Sequence, residues 1–94
     1  MEIGGKQYKL VTHLTIKQEK QVSRLLQDVA NGLMAYFGDA EAEDKTIDAL
    51  NAKWTEAAVL MFEEKDVPSV DEVGSVRLLE VTRDFFSRGS VPTK

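Results

Sequence analysis

The sequence predicts a mainly α domain with a minor β component (α+β): three helices with a short β-hairpin folded onto them at the N-terminus. Three observations predict it. Two long stretches repeat apolar residues at i, i+3, i+4 and i+7, a Gly-Gly pair sits between short β-prone segments at the start, and Ser/Thr capping signals stand where helices would begin. The 94 residues suit one domain, because a chain of this size buries only about 60–65 % of the surface its unfolded form exposes and so sustains one modest core.

The elements follow in order. Gly4-Gly5 accommodates the positive φ angles of a tight hairpin turn, which predicts strands near residues 1–3 and 6–10. A two-stranded hairpin is marginal alone, so it needs an apolar surface beneath it. Thr15-Ile16-Lys17-Gln18 reads as a capping box opening a helix over 16–37. Val22, Leu25, Leu26, Val29, Ala30, Leu33, Met34 and Phe37 form its apolar stripe, and Gly38 is placed to end it in the left-handed conformation. Gly32, inside that helix, calls for a close packing contact or a bend.

A second helix is expected over 46–64, capped by Thr46, with Ile47, Leu50, Trp54, Ala57, Ala58 and Met61 inward and Leu60 and Phe62 widening the stripe. Val67-Pro68-Ser69 closes it. The third helix is expected over 70–87, opened by the capping box Ser69-Val70-Asp71-Glu72 or restarted at Gly74-Ser75. Val76, Leu79, Thr82, Phe85 and Phe86 would face inward, and residues 88–94 would form a flexible tail.

Charge is segregated along the chain. Residues 1–38 carry five Lys/Arg against three Asp/Glu, residues 39–72 three against eleven, and residues 73–94 four against two. No segment has the strongly basic face that displaces counterions from nucleic acid, so none is expected as a direct partner. No apolar run reaches the roughly 20 residues that span a bilayer, and the start lacks the layout of a secretory signal, so no membrane association and a cytosolic address are expected. The absence of cysteine excludes disulfides, thiolate metal sites and a thiol nucleophile, and fits a reducing compartment.

Residues able to do chemistry are few. His13 is the only histidine, at the junction between hairpin and first helix, where hydrogen bonding to neighbours is expected rather than catalysis. Asp39, Glu41, Glu43 and Asp44 lack the ladder and central glycine of a calcium loop and read as a solvated acidic loop. Glu63-Glu64 point about 100° apart on a helix and read as surface. No catalytic residue, metal site or cofactor is therefore expected. What remains is apolar surface. Phe85 and Phe86 are consecutive and cannot both face one small core, so one of them, Phe86 in preference, is expected at a surface receiving an amphipathic partner helix. Met61 and Met34 would add adaptable contacts there.

The opening Ile3-Gly4-Gly5-Lys6-Gln7-Tyr8-Lys9-Leu10, with Leu14-Thr15-Ile16 leading into a long amphipathic helix, resembles the start of the tail assembly chaperones of long-tailed bacteriophages and prophages. The closing Leu79-Glu80-Val81-Thr82-Arg83-Asp84-Phe85-Phe86 is similar to the end of that family's last helix. The resemblance implies a protein of virion assembly that binds the tape measure protein in the host cytoplasm, keeps it soluble and helps recruit tail tube subunits. In that family a longer product often arises by frameshifting. It implies no catalytic centre, and self-association is left open. The alternative from residues alone is a small acidic regulator, antitoxin-like or anti-repressor-like, whose acidic middle mimics nucleic acid while it masks a protein target.

Overall fold

A computed structural model describes residues 2–89, with side chains through Ser87. It is mainly helical, with an N-terminal hairpin of β1 (Glu2–Ile3) and β2 (Lys6–Gln7) followed by α1 (Ile16–Gly38), α2 (Lys45–Met61), α3 (Val70–Val73) and α4 (Ser75–Gly89). Met1 of the expected first strand and residues 90–94 of the expected tail lie outside the described residues; residues 88 and 89 continue α4.

The hairpin is antiparallel, pairing Glu2 with Gln7 and Ile3 with Lys6, and Gly4 and Gly5 adopt φ of 61° and 83°. Positive φ at both turn positions matches the right-handed twist of the strands and is cheap only for residues without a Cβ. The second strand is shorter than expected because the chain changes partner. Leu10 bridges Phe62, with Val11 N–H donating to the Met61 carbonyl and Glu63 N–H to the Lys9 carbonyl, both at 2.8 Å. The hairpin is thus tied to the exit of α2, and Ile3 and Tyr8 enter the core.

Both expected capping boxes form. Gln18 N–H donates to Thr15 Oγ1 (3.1 Å) while Gln18 Oε1 accepts from Thr15 N–H (3.0 Å), and Ser69 and Glu72 repeat the exchange. Other boundaries differ from expectation. Gly38 is the last helical residue of α1 and has no positive φ; Asp39 follows in extended backbone, its N–H donating to the Tyr36 carbonyl. Asp44, not Thr46, stands at the start of α2, without a side-chain capping bond. α2 ends at Met61 because Phe62 turns extended (φ −104°, ψ 149°) to pair with Leu10. The third expected helix is broken at Gly74, whose φ of 80° and ψ of 156° cannot continue a helix.

Val22, Leu26, Val29 and Leu33 of α1, Leu50, Trp54, Ala57, Ala58 and Met61 of α2, Phe62, and Leu78, Val81 and Phe85 of α4 make one core with Val70 and Val73. Trp54 Nε1–H donates to the Pro68 carbonyl (2.8 Å) and Asn51 Oδ1 accepts from Val70 N–H (2.8 Å), which fastens the α2–α3 loop to α2. Tyr8 and Trp54 flank Phe62, with ring centroids 5.6 Å and 6.4 Å away.

Gly32 marks a close contact between α1 and α2: a Cβ there would stand 2.4 Å from Leu50 Cδ2. Gly32→Ala should gain about 1 kcal/mol of helix propensity but lose it to this clash. In a Leu50→Ala background the clash is gone. A denaturation double-mutant cycle is therefore expected to find Gly32→Ala at least about 1 kcal/mol more favourable there than in the wild type, and additivity would contradict the contact.

Candidate functional site

Helix geometry decides which apolar residues remain outside. The α1 edge carrying Gln21, Asp28 and Gly32 faces α2, through Gln21 to Glu56 (3.1 Å), Asp28 to Lys53 (3.1 Å) and Gly32 against Leu50. At about 100° per residue, the opposite edge, with Ala30, Met34 and Phe37, is turned toward α4. On α4, Asp84 lines a shallow cavity with Tyr8, Leu10 and Glu64, so the edge bearing Ser75, Leu79 and Phe86 is turned toward α1. Phe37 and Ser75 line a common hollow of about 150 Å³ with Leu33, Val70 and Gly74, which places the end of α1 beside the beginning of α4. On these facing edges Met34 (71 %), Phe37 (65 %) and Leu79 (56 %) are exposed, and Val76 (72 %) is exposed on the outer face of α4.

The expected site residues divide. Met34 lies on this surface. Met61 is fully buried and Phe85 is 4 % exposed, so neither is available to a partner in the free protein; Met61 falls on the innermost line of α2, and Phe85 completes the Leu78, Val81, Phe85 spacing of α4. Phe86 is half-buried, packed on the edge of the core with its ring 5.8 Å from that of Phe85. The inward stripe expected for the last helix is corrected accordingly: Val76 and Leu79 face solvent, and Leu78 and Val81 take their place. α4 carries two overlapping apolar stripes, and the buried one is Leu78, Val81 and Phe85, whose i, i+3, i+7 spacing runs along the core.

A signal for the exposed residues was present. Phe37 abuts Gly38 and an acidic run, with no apolar segment next to it in sequence to cover it, and Val76 follows directly on the Gly74-Ser75 break.

The surroundings are acidic. Asp39, Glu41, Glu43 and Asp44 are exposed, as the acidic-loop reading expected, and Asp39 Oδ1 accepts from Glu41 N–H (2.9 Å). A second cavity of about 390 Å³ is lined by Tyr36, Asp44, Lys45, Ile47, Asp48 and Asp71, sharing Tyr36, Ile47 and Asp71 with the apolar hollow. Tyr36 Oη–H donates to Asp44 Oδ1 (2.7 Å); that bond, with burial and the charges of Asp44 and Asp71, raises the phenol above its ordinary pKa. Lys45 reaches Glu43 (3.0 Å). The last turn of α1 has no basic residue to offset the partial negative charge of its carbonyls.

Elsewhere, Lys17, Lys20 and Arg24 line a basic groove on the first half of α1, and the described residues extend 45 × 26 × 19 Å. Lys6 pairs with Asp66 (2.6 Å), a hydrogen bond that lowers the Asp66 pKa and raises that of Lys6. His13 is exposed. Among the described residues no group of three or more His, Asp or Glu is placed to hold a metal ion, and no helix is long and apolar enough to cross a membrane. Comparison with protein-family models, curated proteins and solved structures finds no match to this chain.

Proposed function

We propose that this protein is a tail assembly chaperone of a long-tailed phage or prophage, acting in the host cytoplasm by binding rather than catalysis. It holds the tape measure protein soluble and helps bring tail tube subunits to it. The observation that carries the reading is that Met34 and Phe37 on α1 and Leu79 on α4, all on the edges these helices turn toward each other, are open to solvent in a small acidic domain. Large apolar side chains left open to solvent mark interaction sites, and a long tape measure helix offers the complementary face before the tube encloses it. Repeated copies along one tape measure would cover it by many modest contacts. The resemblance of Ile3–Leu10 and Leu79–Phe86 to the family supports the same reading.

The exposed carboxylates of residues 39–48 favour a second reading, a regulator masking a protein that otherwise binds nucleic acid. Co-expression with the tape measure protein of the same phage or prophage separates the two. The chaperone is expected to keep the tape measure in the soluble fraction and to co-purify with it. A folded protein that leaves it insoluble and unbound would replace the first reading by the second.

A further inference from the structure

We infer that the junction of α1 and α4 receives an amphipathic helix whose apolar stripe is flanked by lysine or arginine. The inference specifies the chemistry of the partner segment and rests on the binding role proposed above. Its basis is the juxtaposition of two surfaces. The apolar one is centred on Phe37, which lines the hollow with Leu33, Val70 and Gly74, and is flanked by exposed Met34 on the same edge of α1 and by exposed Leu79 on the edge of α4 turned toward it. The acidic one adjoins it through Tyr36, Ile47 and Asp71, and carries Asp44 and Asp48, with Asp39, Glu41, Glu43 and Glu72 exposed nearby in sequence.

Only Lys45 opposes these carboxylates in that cavity, and it reaches Glu43. The uncompensated C-terminus of α1 adds to the same negative field. On the side of the acidic cavity an apolar helix with acidic flanks would meet like charge, whereas basic flanks there meet complementary charge, which sets specificity and speeds encounter. A helix fits better than an extended strand, because the surface is built from helix faces around a hollow rather than from an unpaired sheet edge.

The experiment uses the full chain and two fluorescently labelled synthetic peptides of about 18 residues, five helical turns. Both carry the same leucine stripe, flanked by lysine in one and by glutamate in the other. In anisotropy titrations at low salt the lysine peptide is expected to bind at least about tenfold more tightly than the glutamate peptide, with the difference shrinking as salt rises. Phe37→Ser, which removes an exposed ring without altering charge, is expected to weaken the lysine peptide about tenfold or more while the circular dichroism melt stays in place. The combination Glu41→Lys, Asp48→Lys and Asp71→Lys is expected to abolish or invert the preference.

Equal binding of the two peptides, or binding of neither, overturns the inference. So does a dimer of the protein alone that Phe37→Ser dissolves, since a second copy would then be the occupant. The two proposals fail separately. Capture of the tape measure unaffected by Phe37→Ser overturns this site and leaves the chaperone standing. Selective binding of the lysine peptide with no capture of the tape measure does the reverse.

Discussion

Trp54→Ala is expected to lower the stability of the fold by about 3–5 kcal/mol, a large part of the roughly 5–15 kcal/mol typical of a domain. Trp54 is fully buried, meets Phe62 edge-on and donates its indole N–H to the Pro68 carbonyl. Alanine would open a cavity in the centre of the core and leave that carbonyl without its partner, detaching the loop that positions α3 and the start of α4. Since Trp54 is the sole tryptophan, the loss should be followed by circular dichroism in denaturant rather than by intrinsic fluorescence. Trp54→Phe, which keeps most of the volume, should cost clearly less. Equal midpoints for wild type and Trp54→Ala would contradict the assignment of this side chain to the core.

The second large effect separates two neighbours. Phe85→Asp is expected to leave the chain predominantly unfolded, because it both removes the burial of a phenylalanine, about 3–5 kcal/mol, and brings an unpaired carboxylate among Leu78, Val81 and the α1 stripe. Phe86→Asp sits at the half-exposed edge, where the new charge remains in contact with water, and should cost about 1–2 kcal/mol and keep the helical spectrum. A reversal of this order would place the core on the other face of α4.

The parts of the fold legible in the sequence are those governed by local physics. The Gly4-Gly5 turn, the capping boxes at Thr15 and Ser69, and the Val22, Leu26, Val29, Leu33 stripe each depend on a few adjacent residues, and each stands where the sequence places it. What was not legible depends on partners distant in the chain. Phe62 reads as helical by periodicity, yet its backbone leaves the helix to pair with Leu10, 52 residues earlier. Gly38 offers a left-handed ending that α1 does not use, because Asp39 closes the turn in extended backbone instead.

The surface was harder to read than the core. Met34 and Phe37 continue the α1 stripe in sequence, but at about 100° per residue they fall on its edge, off the buried Val22, Leu26, Val29 and Leu33 line, and remain exposed. On α4 the choice between Val76/Leu79 and Leu78/Val81 as the inner line is close to degenerate by hydropathy, and it is Leu78 and Val81 that are buried. Met61 reads both as part of the inward stripe of α2 and as an adaptable contact at the partner surface; it takes the first place, fully buried in the core with Phe62. The acidic loop, by contrast, was readable, since four carboxylates in six residues have nowhere to go but water.

The central claim is that the exposed apolar residues at the α1–α4 junction hold a helical tape measure segment. Its most direct measurement is the amount of tape measure protein that co-purifies with wild type and with a Phe37→Ser, Leu79→Ser double variant, both shown by circular dichroism to be folded. Both positions are more than half exposed, so the double variant should fold, and wild type should retain the tape measure in the soluble fraction while the variant loses most of it. Equal recovery with the two proteins would contradict the claim.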